Sequence, residues 1–129
     1  MVDPLFLLDS NACIYILEGL SIPLRQRVEA LEPGRIVTSS IVYAEVMRGI
    51  DRDDQEANAK ASRLFELIPA LAFDTNAAEV YRCIPFKRGK FDRLIGAHAL
   101  SLGLTVITND ISDFDDIPGL NIENWTLPL

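Results

Sequence analysis

Two short apolar runs constrain this chain most. Leu5-Phe6-Leu7-Leu8 is cut off by Asp9-Ser10-Asn11, and Leu104-Thr105-Val106-Ile107-Thr108 is cut off by Asn109-Asp110. A strand with one wet face alternates apolar and polar residues. Leu5–Leu8 shows no such alternation and reads as a strand buried on both faces, the setting of a central strand in a parallel sheet covered by helices. Arg35-Ile36-Val37-Thr38 is a third candidate strand, Leu71-Ala72-Phe73 a brief fourth, and Ile122-Glu123 a weak last one after the Pro118-Gly119 turn.

Helical patterns fill the intervals. Ala12 to Leu17 reads as a short helix, and Ser21-Ile22-Pro23 offers an N-cap with proline in the first turn for a helix to about Glu32. Ser39 or Ser40 caps a helix ended by Gly49. Ala57, Ala61, Leu64, Phe65 and Ile68 recur at helical spacing, and Asp74-Thr75-Asn76 leads into a helix carrying Ala77, Val80, Tyr81 and Ile84. Phe91 to Leu102 is helical, with Gly103 just past its end. Strands alternating with helices over 129 residues predict one domain spanning residues 1–129. Its expected class is α/β, a three-layer α/β/α sandwich around a mainly parallel central sheet. Ligands of such sheets bind beyond the carboxyl ends of the strands, at a topological switch point. Asp9 and Asp110 both fall there.

Composition removes several chemistries. Cys13 and Cys83 are the only cysteines and have no CxxC spacing, so thiolate zinc sites and disulfide frameworks lack members; both are expected as buried small hydrophobes. His98 is the sole histidine and is expected as a packed, hydrogen-bonded helical residue, which leaves oxygen-ligated hard cations as the plausible metals. No apolar run reaches the ~20 residues of a membrane span, no membrane partner is expected, and the expected location is cytoplasmic. Twelve Lys and Arg against 19 Asp and Glu give a net charge of −7, a poor overall field for a polyanion unless the acid is gathered where a cation neutralises it.

Asp9 after the first strand, Glu45 in the helix after the second, Asp92 at a helix start and Asp110 after the clearest strand converge if the sheet forms as described. At roughly 5 Å and an effective dielectric of about 20, each ionised pair repels by about 3 kcal/mol, so such a cluster needs protonation or a bound cation. Mg²⁺ or Mn²⁺ is the natural counter-charge and suits phosphodiester hydrolysis. Asp113 faces the same region and competes with Asp110, whereas Asp115 and Asp116 are expected to be exposed. Asn11, Ser39 and Thr108 fit supporting roles, orienting waters or carboxylates. Phe86-Lys87-Arg88-Gly89-Lys90-Phe91-Asp92-Arg93 is the main basic patch and stands beside Asp92, so Lys87, Arg88, Lys90 and Arg93 are the candidate cations for tracking a single nucleic-acid strand past the metal. Taken alone, Phe86 and Phe91 read as core anchors. There is no Walker A pattern around Gly89-Lys90.

Leu7-Leu8-Asp9-Ser10-Asn11, Ser39 to Gly49, Phe91 to Leu100, Val106-Ile107-Thr108-Asn109-Asp110 and Ile117 to Trp125 together resemble the PIN-domain ribonucleases, specifically the VapC-type toxins of bacterial toxin–antitoxin pairs. The resemblance spans nearly the whole chain. It implies a PIN-like α/β/α sandwich, Mg²⁺- or Mn²⁺-dependent endoribonuclease activity, neutralisation by a cognate VapB-type antitoxin, a homodimer, and contact with operator DNA only through the antitoxin. By position, Asp9, Glu45 and Asp92 match three family carboxylates and Asp110 the fourth, with Asp113 its rival. Asp9, Asp92 and Asp110 would hold the ion, while Glu45 completes its shell or orients the attacking water. Ser10 stands where threonine is usual, and Phe91 where many relatives have asparagine.

Other acid-at-strand-end proteins fit less well. A response-regulator receiver needs a second acid beside Asp9 and a lysine after the last strand, and a haloacid-type phosphatase needs an aspartate where Asn11 stands. A catalytically silent partner-binding subunit is the alternative from a different class.

Overall fold

The computed structural model describes residues 2–86 and 90–127. In chain order the elements are β1 (Phe6–Leu8), α1 (Ser10–Glu18), α2 (Ile22–Glu29), β2 (Ile36–Ser39), α3 (Ser40–Arg48), α4 (Gln55–Leu67), β3 (Ala70–Leu71), α5 (Thr75–Tyr81), α6 (Asp92–Leu102), β4 (Thr105–Ile107), a 3₁₀ turn (Ile111–Asp113) and β5 (Ile122–Glu123). Local chemistry sets most boundaries. The Asp9, Ser21, Ser39, Asp54 and Asp74 side chains each accept a hydrogen bond from a first-turn N–H, the bond an N-cap supplies to an orphan donor. Gly103 ends α6 at φ 69°, a left-handed position where a Cβ would be strained.

The five strands are all parallel, in the order β3-β2-β1-β4-β5. From β1 the chain first builds outward through β2 and β3, then crosses back to β4 and continues outward on the other side. Right-handed crossovers running in opposite directions put their helices on opposite faces. Accordingly α1 packs with α2, α3 and α4, while α5 packs with α6 and α6 against β4. The result is the three-layer sandwich with β1 at its centre. Leu7 and Leu8 point to opposite faces and both are fully buried, as are Val106 and Ile107 of β4. Burying each such leucine contributes about 2 kcal/mol. Among the described residues no helix is long and apolar enough to cross a membrane.

Some expectations change. α2 stops at Glu29 rather than near Glu32, and α5 stops at Tyr81 rather than Ile84. Cys13 is buried as expected, but Cys83 falls in the turn after the shortened α5 and is exposed. Phe86 and Phe91 are not core anchors: they are 72% and 56% exposed.

Helix α6 lies close to the segment 114–120 because Gly96 has no side chain. A Cβ there would meet the Ile117 Cδ1 well inside van der Waals contact and press on Leu120 at 3.4 Å and Phe114 at 3.5 Å. Phe114 and Ile117 are themselves buried and cannot swing away. Gly96→Ala gains about 1 kcal/mol of helix propensity yet is expected to destabilise the fold by about 1–3 kcal/mol net, read from urea unfolding.

Candidate active site

The strand order reverses between β1 and β4, so the loops leaving these two strands diverge and open a crevice at their carboxyl ends. Asp9 leaves β1 here. Its N–H donates to the Ile107 carbonyl at 3.0 Å, and its Oδ1 accepts from the Ala12 N–H at 2.8 Å, so β4 and the first turn of α1 both fix its position. The residue is 2% exposed. Burial pushes its carboxyl up to about 7; the nearby charges of Asp92 and Asp113 add to the rise, against hydrogen bonds from Thr108 and Ala12 that favour the anion.

Asp92 opens α6 and is half-buried. Its carboxyl is raised to about 6, first by burial and then by Asp113 and Glu45, while Lys90 and Arg93 pull the other way. Glu45, on α3, is raised chiefly by burial and held by Ser10, whose Oγ donates to Glu45 Oε1 at 2.9 Å. Asp9, Asp92 and Asp113 are thus brought from distant places in the sequence into electrostatic reach of one another, and Glu45 into reach of Asp92. These carboxylates raise the cost of ionising one another, and Lys90 and Arg93 offset only part of it at Asp92.

Asp110 is engaged differently. Its carboxylate accepts the Ser112 hydroxyl at 2.5 Å, its N–H donates to Thr108 Oγ1 at 3.0 Å, and its carbonyl accepts from the Asp113 N–H at 3.2 Å. These bonds shape the turn that presents Asp113.

The PIN domain family model matches residues 6–120. The chain belongs to the PIN-domain family. It is 33% identical to the tRNA(fMet)-specific endonuclease VapC of Salmonella typhimurium, over 93% of this chain and 97% of that protein, and 27% identical to Ribonuclease VapC2 of Rickettsia felis, over 94% and 98%. Among solved structures it is similar to VapBC2 of Rickettsia felis bound to a promoter DNA fragment, with a TM-score of 0.84, 25% identity and coverage of 94% of this chain and 98% of that one. DNA-bound VapBC of Salmonella typhimurium also superposes at a TM-score of 0.84, with 30% identity and coverage of 95% and 98%.

Not every residue singled out in the sequence joins the PIN-domain acid cluster. Thr108 is buried and bonds Asp9, a supporting role. Ser39 caps α3 through the Ile41 N–H at 3.1 Å and lies 2.8 Å from His98 Nδ1, so its hydroxyl serves α6 packing rather than the carboxylates. Burial lowers the affinity of the His98 ring for a proton, and Phe73 meets it edge-on at 5.5 Å. Asn11 is exposed in the first turn of α1. Lys90 is exposed and its charge is felt at Asp92; Lys87 and Arg88 lie outside the described residues. Arg93 corrects the reading as a surface phosphate ligand: it is buried and paired with Asp116, which is consequently half-buried rather than exposed. The Ser10 contact to Glu45 was missed. Its only signal was a hydroxyl directly after the strand-ending acid.

The donor set fits a hard divalent cation. It consists of carboxylates, it carries surplus charge, and the Asn109 Oδ1 beside it in sequence is buried with no hydrogen-bond partner among the described residues. No three acids among the described residues already enclose a common point.

Proposed function

We propose that this PIN domain is a divalent-cation-dependent endoribonuclease and the toxin of a toxin–antitoxin pair. The observation that carries the reading is the carboxyl of Asp9, almost wholly buried at the switch point yet surrounded by other acids. A fold tolerates such a group when a cation compensates it. Asp9, Asp92 and Asp113 would hold Mg²⁺ or Mn²⁺, with Asp113 preferred over Asp110 because its charge acts on both Asp9 and Asp92 while Asp110 serves the turn. When bound, the cation supplies charge neutralisation for the phosphate oxygens and Lewis acidity toward the attacking water.

The chain's own residues do the rest. Glu45, fixed by the Ser10 hydroxyl, accepts a hydrogen bond from the incoming water and takes up its proton, for which its raised proton affinity is suited. Thr108 and the Ala12 N–H hold Asp9 in one rotamer, so its ligating oxygen is in place before RNA arrives. Lys90, exposed beside Asp92, draws the RNA phosphate toward an otherwise acidic surface, and Lys87 and Arg88 extend the same patch in sequence.

The inhibitor is proposed as a VapB-type antitoxin, supported by the VapBC assemblies to which the chain is similar. A cleft of about 780 Å³ runs to Glu45, with Ile14, Leu17 and Val46 among its apolar walls and Glu18, Asp51 and Asp54 among its acids. An amphipathic segment with a basic end fits this lining, and an antitoxin arginine would pair with the acid cluster. With a net charge of −7 the toxin itself is a poor DNA ligand, so operator contact is assigned to the antitoxin of a complex built on a toxin homodimer.

The reading is tested by incubating purified protein with structured and unstructured RNAs, with Mn²⁺ or with EDTA. Cleavage is expected only with the cation, and Asp92→Asn is expected to lower it on the order of 10³-fold, equivalent to about 4 kcal/mol of barrier. Undiminished cutting in EDTA, or by Asp92→Asn, contradicts the proposal.

A further inference from the structure

Arg93 follows Asp92 in the first turn of α6 and is the largest fully buried side chain of the described residues, at 1% exposure. Its Nη2 donates to the Asp116 carboxylate and, at 3.5 Å, to the main-chain carbonyl of Asp113. Its Nε and Nη1 are buried with no hydrogen-bond partner among the described residues. A guanidinium satisfied on one nitrogen is an expensive way to fill space, since an apolar side chain of similar volume serves stability as well or better. What it holds is more informative than what it fills.

Successive helical residues point about 100° apart, so Asp92 and Arg93 leave α6 in different directions. Arg93 and Gly96, three residues apart, share a face, and the Gly96 position abuts Phe114, Ile117 and Leu120. Arg93 therefore looks onto the segment that carries Asp113. Within that segment Asp113 N–H donates to the Asp110 carbonyl, Ser112 to Asp110, and Asp110 N–H to Thr108. They define the turn's shape. Buried Phe114 and the Arg93 Nη2 both tie the turn to α6.

We propose that Arg93 is a positioning residue: by gripping Asp116 and the Asp113 carbonyl, it holds the segment 110–116 against α6 so that the Asp113 carboxylate faces Asp9 and Asp92. This rests on the reading that Asp113 belongs to the cation site. Both acceptors, three residues apart in sequence, meet the same Nη2, so one buried charged group ties the two ends of this stretch to α6.

The test uses the full chain with Asp116→Asn, which keeps an acceptor and removes the charge, and with Arg93→Lys, which keeps the buried charge and shortens its reach to the two acceptors. Three quantities are followed: hydrogen exchange of the amides of 110–116 against those of β1, the calorimetric affinity for Mn²⁺, and kcat and KM for RNA. Both variants should speed exchange in 110–116 about tenfold without changing β1, weaken Mn²⁺ about tenfold, and lower kcat with KM little changed. In an Asp113→Asn background, Asp116→Asn should have almost no further effect on Mn²⁺ affinity, because the carboxylate it positions is gone. A variant that melts earlier but binds Mn²⁺ as tightly as the parent overturns the proposal, as does an equal loss in the Asp113→Asn background. If the parent binds Mn²⁺ and cuts no RNA, the nuclease reading fails while the exchange and affinity measurements still decide the role of Arg93. If Asp116→Asn does not fold, Arg93→Lys carries the same measurements.

Discussion

Replacing Asp9 with asparagine should abolish RNA cleavage while making the metal-free protein harder to unfold. Asparagine is a good N-cap and keeps the oxygen that accepts from the Ala12 N–H, so the start of α1 is preserved. The buried charge is what disappears. In the folded protein Asp9 holds its proton up to about pH 7, against about 3.9 for an unperturbed aspartate. Between these values the folded state binds a proton that the unfolded state has released, so this group's contribution to stability falls as pH rises from about 4 to about 7 and is fully lost above that. The shift corresponds to a destabilisation of about 4 kcal/mol at most, and a gain of about 1–3 kcal/mol in the variant is the reasonable expectation after relaxation. Urea unfolding at pH 8 in EDTA measures it. At pH 4, where parent and variant are both neutral at this position, the difference should vanish. A variant less stable than its parent at pH 8 means that Asp9 is an ordinary cap and not a suppressed anion.

The second large effect separates Asp113 from Asp110. Asp113→Asn removes a charge that acts on both Asp9 and Asp92, and it should weaken Mn²⁺ binding and cleavage by about 100-fold. Asp110→Asn keeps an oxygen for the Ser112 hydroxyl and leaves its backbone bonds in place. Its activity should stay within about threefold of the parent, the scale of a surface substitution under about 0.5 kcal/mol. The reverse ranking would hand the fourth ligand position back to Asp110. Side-by-side Mn²⁺ titrations of the two variants give the answer without needing the natural RNA.

Much of the fold is written locally. Leu5–Leu8 lacks alternation because β1 is central, Ser21 and Ser39 announce α2 and α3, and Gly103 marks the end of α6. Asp9 and Asp92 are legible as candidate site residues because each stands where a helix starts, after a strand or a turn, and Glu45 because it lies in the helix that follows β2. What the sequence conceals is tertiary. A cation in a basic run reads as surface, and only the close approach of α6 to the 114–120 segment turns Arg93 inward to a partner 23 residues away. The choice between Asp110 and Asp113 depends on a 3₁₀ turn that no periodicity signals. Phe86, Phe91 and Cys83 were assigned to the core by hydrophobicity alone, and the early end of α5 leaves Cys83 outside it.

The central claim is that separate carboxylates meet at the carboxyl ends of β1 and β4 and take a divalent cation in common. Calorimetric titration of Mn²⁺ into the parent chain and Asp9→Asn, at pH 6 and pH 8, tests it most directly. The parent should bind more tightly at pH 8, because the protons that compete for Asp9 and Asp92, held to about 7 and about 6, have left by then, and Asp9→Asn should bind at least tenfold more weakly. Equal affinity in parent and variant, or no binding by the parent at either pH, would contradict the claim.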